Sequence, residues 1–354
     1  MTWQQKDSKQ RVAVATAIVN QNIQTILFKH MSNTQNASIL PVFIQRYVEN
    51  QAEVRAELQQ GLLAVNATTS PKYLYDALGS RLFEAITELP EYYPTRVEAS
   101  IFEQFSHEMA TAAGLGHTLI DLGAGNCEKA ARLFDALRPA KYVAVDISVD
   151  FLKQALTTLQ RQNPDLPMLG LGLDFSASLA LPAETGNGSR LFFYPGSSIG
   201  NFTPADALPF LRQIYDACKG QGGLLIGVDL VKNHAVLQAA YDDALGVTAA
   251  FNRNMLLHIN QLLGSDFNIT QWQHRALFNT ELSRIEMHLD ALEDLTVCWE
   301  GGERKFAKGE GIHTENSYKY TVESFTQLLK SAGFQAVKPW QDANQQFCLF
   351  WAKA

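Results

Sequence analysis

No unbroken apolar run of about 18 residues occurs anywhere in the chain, so no segment reads as a membrane span. Cysteine is scarce: Cys127, Cys218, Cys298 and Cys348 are the only four in 354 residues, and none forms a C-x-x-C pair. That scatter argues against a disulfide framework or a cysteine zinc site and fits reduced thiols in the cytoplasm. The eight histidines contain no H-E-x-x-H cluster, so no metal is expected. A basic excess is lacking too. The formal net charge is −7, which argues against a nucleic-acid-binding surface. The start is polar, and the apolar stretch at 12–19 is too short, and lacks the basic lead-in, for a signal peptide.

What is present points to a large folded core. Hydrophobic residues make up 46% of the chain and charged residues 18%, enough for one large domain or two. Residues 1–60 are rich in Gln, Asn and Ala, with helical spacing around Val42, Phe43, Tyr47 and Val54, and read as a helical appendage. From Leu119 the chain alternates. Near-continuous apolar strands are expected at 119–122, 142–147, 168–173, 191–194 and 224–230, with helices at 129–137, 151–162 and 205–218 between them. Such alternation means a parallel sheet covered on both faces.

After Leu230 the rhythm changes. Residues 234–263 read as two helices, 284–290 alternate like an antiparallel strand, and 295–299 are expected to pair with it. A helix at 321–332 and strands at 336–339 and 347–352 close the chain. The expected fold is therefore α/β: a class I methyltransferase-type doubly wound sheet with a C-terminal antiparallel hairpin, plus a smaller α+β substrate domain. The large domain is assigned 97–230 and 318–354, the substrate-binding domain 61–96 and 231–317.

The segment Thr118-Leu-Ile-Asp-Leu-Gly-Ala-Gly-Asn-Cys-Glu-Lys129 reads as a strand, a glycine turn and a helix start. Gly123 and Gly125 let backbone approach a ligand closely, and Lys129 follows on the helix. Glu128 stands where a dinucleotide fingerprint wants a third glycine, which disfavours an NAD-type pyrophosphate. The form suits a ligand with an amino-acid and ribose head, such as S-adenosylmethionine. Asp146 closes the second strand about 20 residues on, where a carboxylate can accept both ribose hydroxyls. At the third strand end, Asp174 can accept from an adenine amine and Phe175 can stack on the ring; a loop Asp with a core Phe explains the pair equally well. In Tyr194-Pro-Gly-Ser-Ser-Ile-Gly-Asn-Phe-Thr-Pro204, Gly196 and Gly200 permit close approach and Asn201 offers a donor and an acceptor. Asn201 or Thr203 can also cap the helix that follows.

Several long motifs in one order resemble the histidine-specific Nα-methyltransferases of ergothioneine biosynthesis. The N-terminal signature runs from Ser70-Pro-Lys-Tyr-Leu-Tyr-Asp to Leu89-Pro-Glu-Tyr-Tyr-Pro-Thr-Arg96. Tyr194–Pro204, Asp229-Leu-Val-Lys232, 241–254, 284–289 and Thr314-Glu-Asn-Ser-Tyr-Lys-Tyr320 follow in the family's order. The resemblance implies trimethylation of the α-amine of L-histidine to hercynine with S-adenosylmethionine; a monomer is expected. It implies that Asn201, Tyr241 and Tyr92 hold the carboxylate and amine, with Tyr75 near the amine. It assigns the imidazole to Glu315 and Ser317 and the pocket lining to Met287. Another amine, such as a tryptophan derivative, is the alternative substrate; a protein substrate, or a binding module without turnover, are more distant readings.

Overall fold

A computed structural model describes residues 39–48, 50–147 and 149–354, with Phe151 as backbone only. The helical reading of 1–38 lies outside these residues. The large sheet has eight strands: β1 (Val42–Gln45), β3 (Thr118–Leu122), β4 (Lys141–Asp146), β5 (Met168–Gly172), β6 (Arg190–Tyr194), β7 (Gly222–Asp229), β13 (Ala336–Gln341) and β14 (Phe347–Lys353). Their order is β1-β5-β4-β3-β6-β7-β14-β13. All neighbours from β1 to β7 run parallel; β14 lies antiparallel to β7, and β13 antiparallel to β14. This is the expected doubly wound sheet with its closing hairpin. The chain leaves β3 towards β4 on one side and reaches β6 on the other, so a crevice opens at the carboxyl ends of β3 and β6.

A second sheet, in the order β2-β12-β9-β8, contains β2 (Ala67–Thr68), β8 (Trp272–Asn279), β9 (Arg284–Ala291) and β12 (Gly311–Tyr318). Helices α1 (Gln51–Leu63), α2 (Ala77–Thr87) and α9 (Val247–Leu263) share its core. Val54, Leu58 and Leu62 recur every fourth residue on α1 and are buried there. The large sheet is covered on its two faces by separate clusters, one including Phe210 and Phe325 and the other Phe102, Leu152 and Leu156. The sheets meet where β12 runs out: Leu230, just past β7, bridges Tyr320.

Three expectations need correction. The appendage reading fails at 42–45, which form β1 on the edge of the large sheet, beside β5. Val42, Phe43 and Ile44 make an unbroken apolar run, and two glycines of β5 receive it. A Cβ on Gly170 would meet Phe43 Cδ1 at 2.6 Å, and one on Gly172 would meet Gln45 Oε1 at 2.2 Å. The helix expected at 129–137 is two short ones, α4 (Glu128–Ala131) and α5 (Phe134–Leu137). A tight turn with Leu133 N donating to Ala130 O (3.0 Å) separates them. Ala130, Leu133, Phe134 and Leu137 are all buried, so the apolar spacing runs through the break. Finally, β10 (Leu295–Trp299) pairs with β11 (Gly302–Phe306), not with β9, because Gly301 (φ 85°) closes a local hairpin.

Candidate active site

The glycine turn after β3 is built as the residues require. Gly123 (φ 71°) and Gly125 (φ 53°) both occupy the left-handed region, where a side chain is strained. Gly125 N donates to Asp146 Oδ2 (3.2 Å) and Ile147 N to Asp146 Oδ1 (2.8 Å). The Asp146 carboxylate is thereby fixed at the end of β4, facing the turn. Burial raises its pKa, and the two N–H groups oppose that. The loop beyond is held from the sheet edge: Gln45 Nε2 donates to Ile147 O (3.2 Å) and Gln45 Oε1 accepts from Val149 N (3.1 Å). Under the turn, Asp121 takes a hydrogen bond from Tyr142 OH (2.7 Å), and burial pushes its carboxyl up to about 7. Its other oxygen, Oδ1, is buried with no partner among the described residues.

Phe175 comes close to the same turn; a Cβ on Gly123 would lie 3.8 Å from its ring. It packs edge-on against Tyr194, centroids 5.9 Å apart. Asp174 bends back on its own loop, Oδ1 accepting from Ser176 N (3.1 Å) and Ala177 N (3.3 Å). One of its oxygens therefore does local work, as the loop reading anticipated. Lys129 reaches across to Glu98, Nζ to Oε2 2.8 Å. Glu98 Oε1 accepts from Gly196 N (2.7 Å), so one carboxylate ties the start of α4 to the segment after β6. Glu98 lies on α3 (Pro94–Ala113) and is 1% exposed. It was not singled out from the sequence. The available signal was its place in the buried stripe Pro94, Glu98, Ile101, Phe102, where an acid is out of character.

Beside Gly196 lies a cavity lined by Tyr75, Tyr92, Asn201, Tyr241, Met287, Glu315 and Ser317, which come from well-separated parts of the sequence. Phe83, Ile86, Ser197, Ser198, Ala240, Thr248 and Phe251 complete the wall. The rings interlock: Tyr75 packs edge-on against Phe83 (5.6 Å) and Phe251 (5.5 Å), and Tyr92 against Tyr241 (6.3 Å). Tyr75 is 39% exposed and sits at the mouth. The turn at Ser198–Asn201 lies directly on β12; a Cβ on Gly200 would approach Tyr318 O to 2.9 Å. That closeness brings Asn201 Nδ2 within 3.1 Å of Glu315 Oε1. Burial pushes the Glu315 carboxyl up to about 7, opposed by Lys319 and by Asn201.

Glu315 owes its direction to a β-bulge. His313 pairs with His288, yet Glu315 pairs with Met287, so Thr314 is the extra residue. His313 stacks on His288 on the outer face of the sheet (4.6 Å), while Glu315 and Ser317 line the cavity with Met287. On the outer face, Glu286, His288 and His313 bring their ligand-type atoms within 4.8 Å of one another. Glu286 is already engaged by Arg284 (2.6 Å) and by Asn279 (2.9 Å).

Behind the cavity wall runs a buried charged network that sequence reasoning did not assign. Asp229, at the end of β7, pairs with Lys232 (2.5 Å) and Lys319 (2.8 Å), and Tyr93 OH lies 2.8 and 2.7 Å from its two oxygens. Burial alone would raise the Asp229 carboxyl; the two ammonium groups outweigh it and hold the pKa below the usual value. Lys319 also donates to Ser317 Oγ (2.8 Å) and Tyr241 OH (3.1 Å), and those two hydroxyls are 2.8 Å apart.

The chain matches known proteins over most of its length. Residues 54–354 match a family described as "Histidine-specific methyltransferase, SAM-dependent". The histidine N-alpha-methyltransferase of Mycolicibacterium smegmatis is 39% identical over 302 residues, which cover 84% of this chain and 93% of that protein. The protein of the same name from Mycobacterium tuberculosis is 38% identical, with the same coverage of each chain. Ergothioneine biosynthesis protein 1 of Neurospora crassa is 30% identical over 91% of this chain and 37% of its own length.

Proposed function

Because this chain belongs to the histidine-specific, S-adenosylmethionine-dependent methyltransferases, we propose that it methylates the α-amine of L-histidine, in three successive transfers, to give hercynine. The observation that carries the reading is the single cavity that joins a carboxylate and a hydroxyl, Glu315 and Ser317, to Asn201 and three tyrosines beside Gly196. An imidazole needs a partner for each ring nitrogen, and Glu315 and Ser317 supply them. A pocket with buried polar groups of this kind rejects an analogue lacking the partners by roughly 10⁴-fold.

The residues of the glycine turn fit the cofactor. Gly123 and Gly125 leave room for a ligand, the Asp146 carboxylate is aimed at the turn, and the unpartnered Asp121 oxygen lies beneath it. Asp146 would hold the ribose, Phe175 and Asp174 the adenine, and the Gly196 and Lys129 region the amino-acid end. When bound, S-adenosylmethionine supplies a methyl group already activated by its sulfonium, so no strong nucleophile or metal is called for. The protein's task is alignment. Asn201 and Tyr241, with Tyr92, hold the histidine carboxylate and amine, and Tyr75 lies near the amine. These groups aim the amine lone pair without carrying its proton. Burial raises the Tyr92 and Tyr241 phenols, so both stay protonated; Tyr92 is free to donate to the substrate, while Tyr241 OH also pairs with Ser317 Oγ. An α-amine titrates near pH 8, so its neutral form is accessible without a dedicated base. Met287 lines the ring pocket. The reading includes a monomer in the cytoplasm; no helix among the described residues is long and apolar enough to cross a membrane.

The test is to incubate the purified protein with S-adenosylmethionine and each standard amino acid and to follow products by mass spectrometry. Trimethylated histidine as the sole product is expected. Methylation of a different amino acid, tryptophan for instance, would overturn the assignment of Glu315 and Ser317.

A further inference from the structure

We propose that Lys319, seated on Asp229, is a positioning residue that makes the Ser317–Tyr241 pair present a hydrogen-bond donor to the substrate ring, and thereby sets the preference for a ring with a bare nitrogen. The inference rests on the histidine reading above and deepens it.

Counting protons carries the argument. An ammonium has three donors and no acceptor; a serine or tyrosine hydroxyl has one donor and can accept. The Lys319 side chain is 0% exposed and its three donors go to Asp229 Oδ2, Ser317 Oγ and Tyr241 OH. Towards the two hydroxyls it can therefore only donate. Between those hydroxyls, 2.8 Å apart, lies one shared proton. Two hydroxyl protons are present and one is spent there, so the other faces the cavity. When Tyr241 donates to Ser317, both serine lone pairs are filled, by Tyr241 and Lys319, and the Ser317 proton points at the ligand. A ring that gives its N–H to Glu315 and offers a bare nitrogen to Ser317 selects this arrangement.

Asp229 alone does not explain Lys319, whose charge also favours the ionised Glu315 carboxylate. Lys232 and Tyr93 already satisfy the Asp229 carboxylate, so a second buried ammonium exceeds what that carboxylate needs. It stands on the cavity side of Asp229, against the ring-reading residues. Removing it leaves Asp229 paired, which favours survival of the fold.

The experiment compares the affinities of L-histidine and 3-(2-thienyl)alanine, a five-membered-ring analogue with no ring nitrogen, by calorimetry in the presence of S-adenosylhomocysteine. In Lys319→Met, histidine should weaken by roughly 30-fold while thienylalanine changes by less than about 3-fold, since only histidine uses the buried donor. In a Ser317→Ala background the same substitution should shift the ratio by less than about 3-fold, because the group through which Lys319 acts is gone. A merely structural role would weaken both ligands equally, and that outcome overturns the inference, as does an unchanged ratio. Should Lys319→Met fail to bind S-adenosylhomocysteine, the ratio is read in Lys319→Gln, which keeps one polar contact. A wild-type protein that binds both amino acids alike would instead overturn the histidine reading itself.

Discussion

The two sides of the site are held in different ways. On the cofactor side, the fixing groups are mostly backbone and near in sequence: Gly125 N and Ile147 N both aim Asp146, and the turn's shape comes from its glycines. On the substrate side, the groups are side chains from far-apart segments. Asn201 meets Glu315 across 114 residues, and Tyr93 meets Asp229 across 136. A backbone-built site tolerates changes of side chain around it; a side-chain network loses its geometry when one member goes. The glycine-turn half, proposed for the cofactor, is thus mainly a local device with distant anchors at Gln45 and Glu98, and the cavity half, proposed for the substrate, a property of the whole fold.

Substitutions can separate the two halves. The largest effect is expected from Glu315→Ala, which should lower kcat/KM for histidine by about 10³-fold, the order expected for a lost buried charged partner. Its affinity for S-adenosylhomocysteine should stay within a few-fold, and equal losses would erase the distinction between the halves. Asp146→Ala is the converse. It should raise the KM for S-adenosylmethionine by roughly 30-fold, as for a lost charged hydrogen bond, with histidine binding little changed in titrations.

A third experiment uses pH. The Glu315 carboxyl is raised by burial to about 7, above its unfolded value, so it contributes stability below that unfolded value and loses it as pH rises through about 7. Glu315→Gln should flatten that fall and raise stability at pH 8 by about 2 kcal/mol in urea titrations, while lowering kcat/KM for histidine less than Glu315→Ala does, since the amide oxygen still accepts. Loss of stability at pH 8 would show that the ionised carboxylate holds the pocket together. The smallest effect belongs to the residue the halves share. Gly196→Ala puts a side chain at φ 75° and within 2.9 Å of Lys129 Nζ, so both KM values should rise together by roughly 5-fold, the equivalent of about 1 kcal/mol of backbone strain.

The same contrast explains what could be read from the sequence. The five central strands fell within one or two residues of their expected places, since buried parallel strands are long apolar runs. The glycine turn and Asp146 were legible because their chemistry is local. Apart from Asn201, the residues proposed for the substrate came only through the resemblance to a known family; nothing in their separate segments links Tyr92 to Tyr241 or Asn201 to Glu315. Strict alternation would put His313 on the same face as Glu315 and Ser317, and the bulge at Thr314 separates them. Lys319 was passed over although it follows Ser317 by two positions and stands between two tyrosines, a lone charge in a buried run. Strand β1 was misread because its four residues are too few to show a period.

That edge strand bears on how the protein can be trimmed. The family match begins at residue 54, which invites an expression boundary there, yet β1 and Gln45 lie upstream of it. A protein cut at that boundary would uncover the hydrogen-bonding edge of β5, whose residues are apolar, and such an edge recruits other chains. It would also release the loop that follows Asp146. Light scattering and S-adenosylhomocysteine titration of the shortened protein should register both consequences, self-association and weaker cofactor binding, with every residue of the cavity still in place.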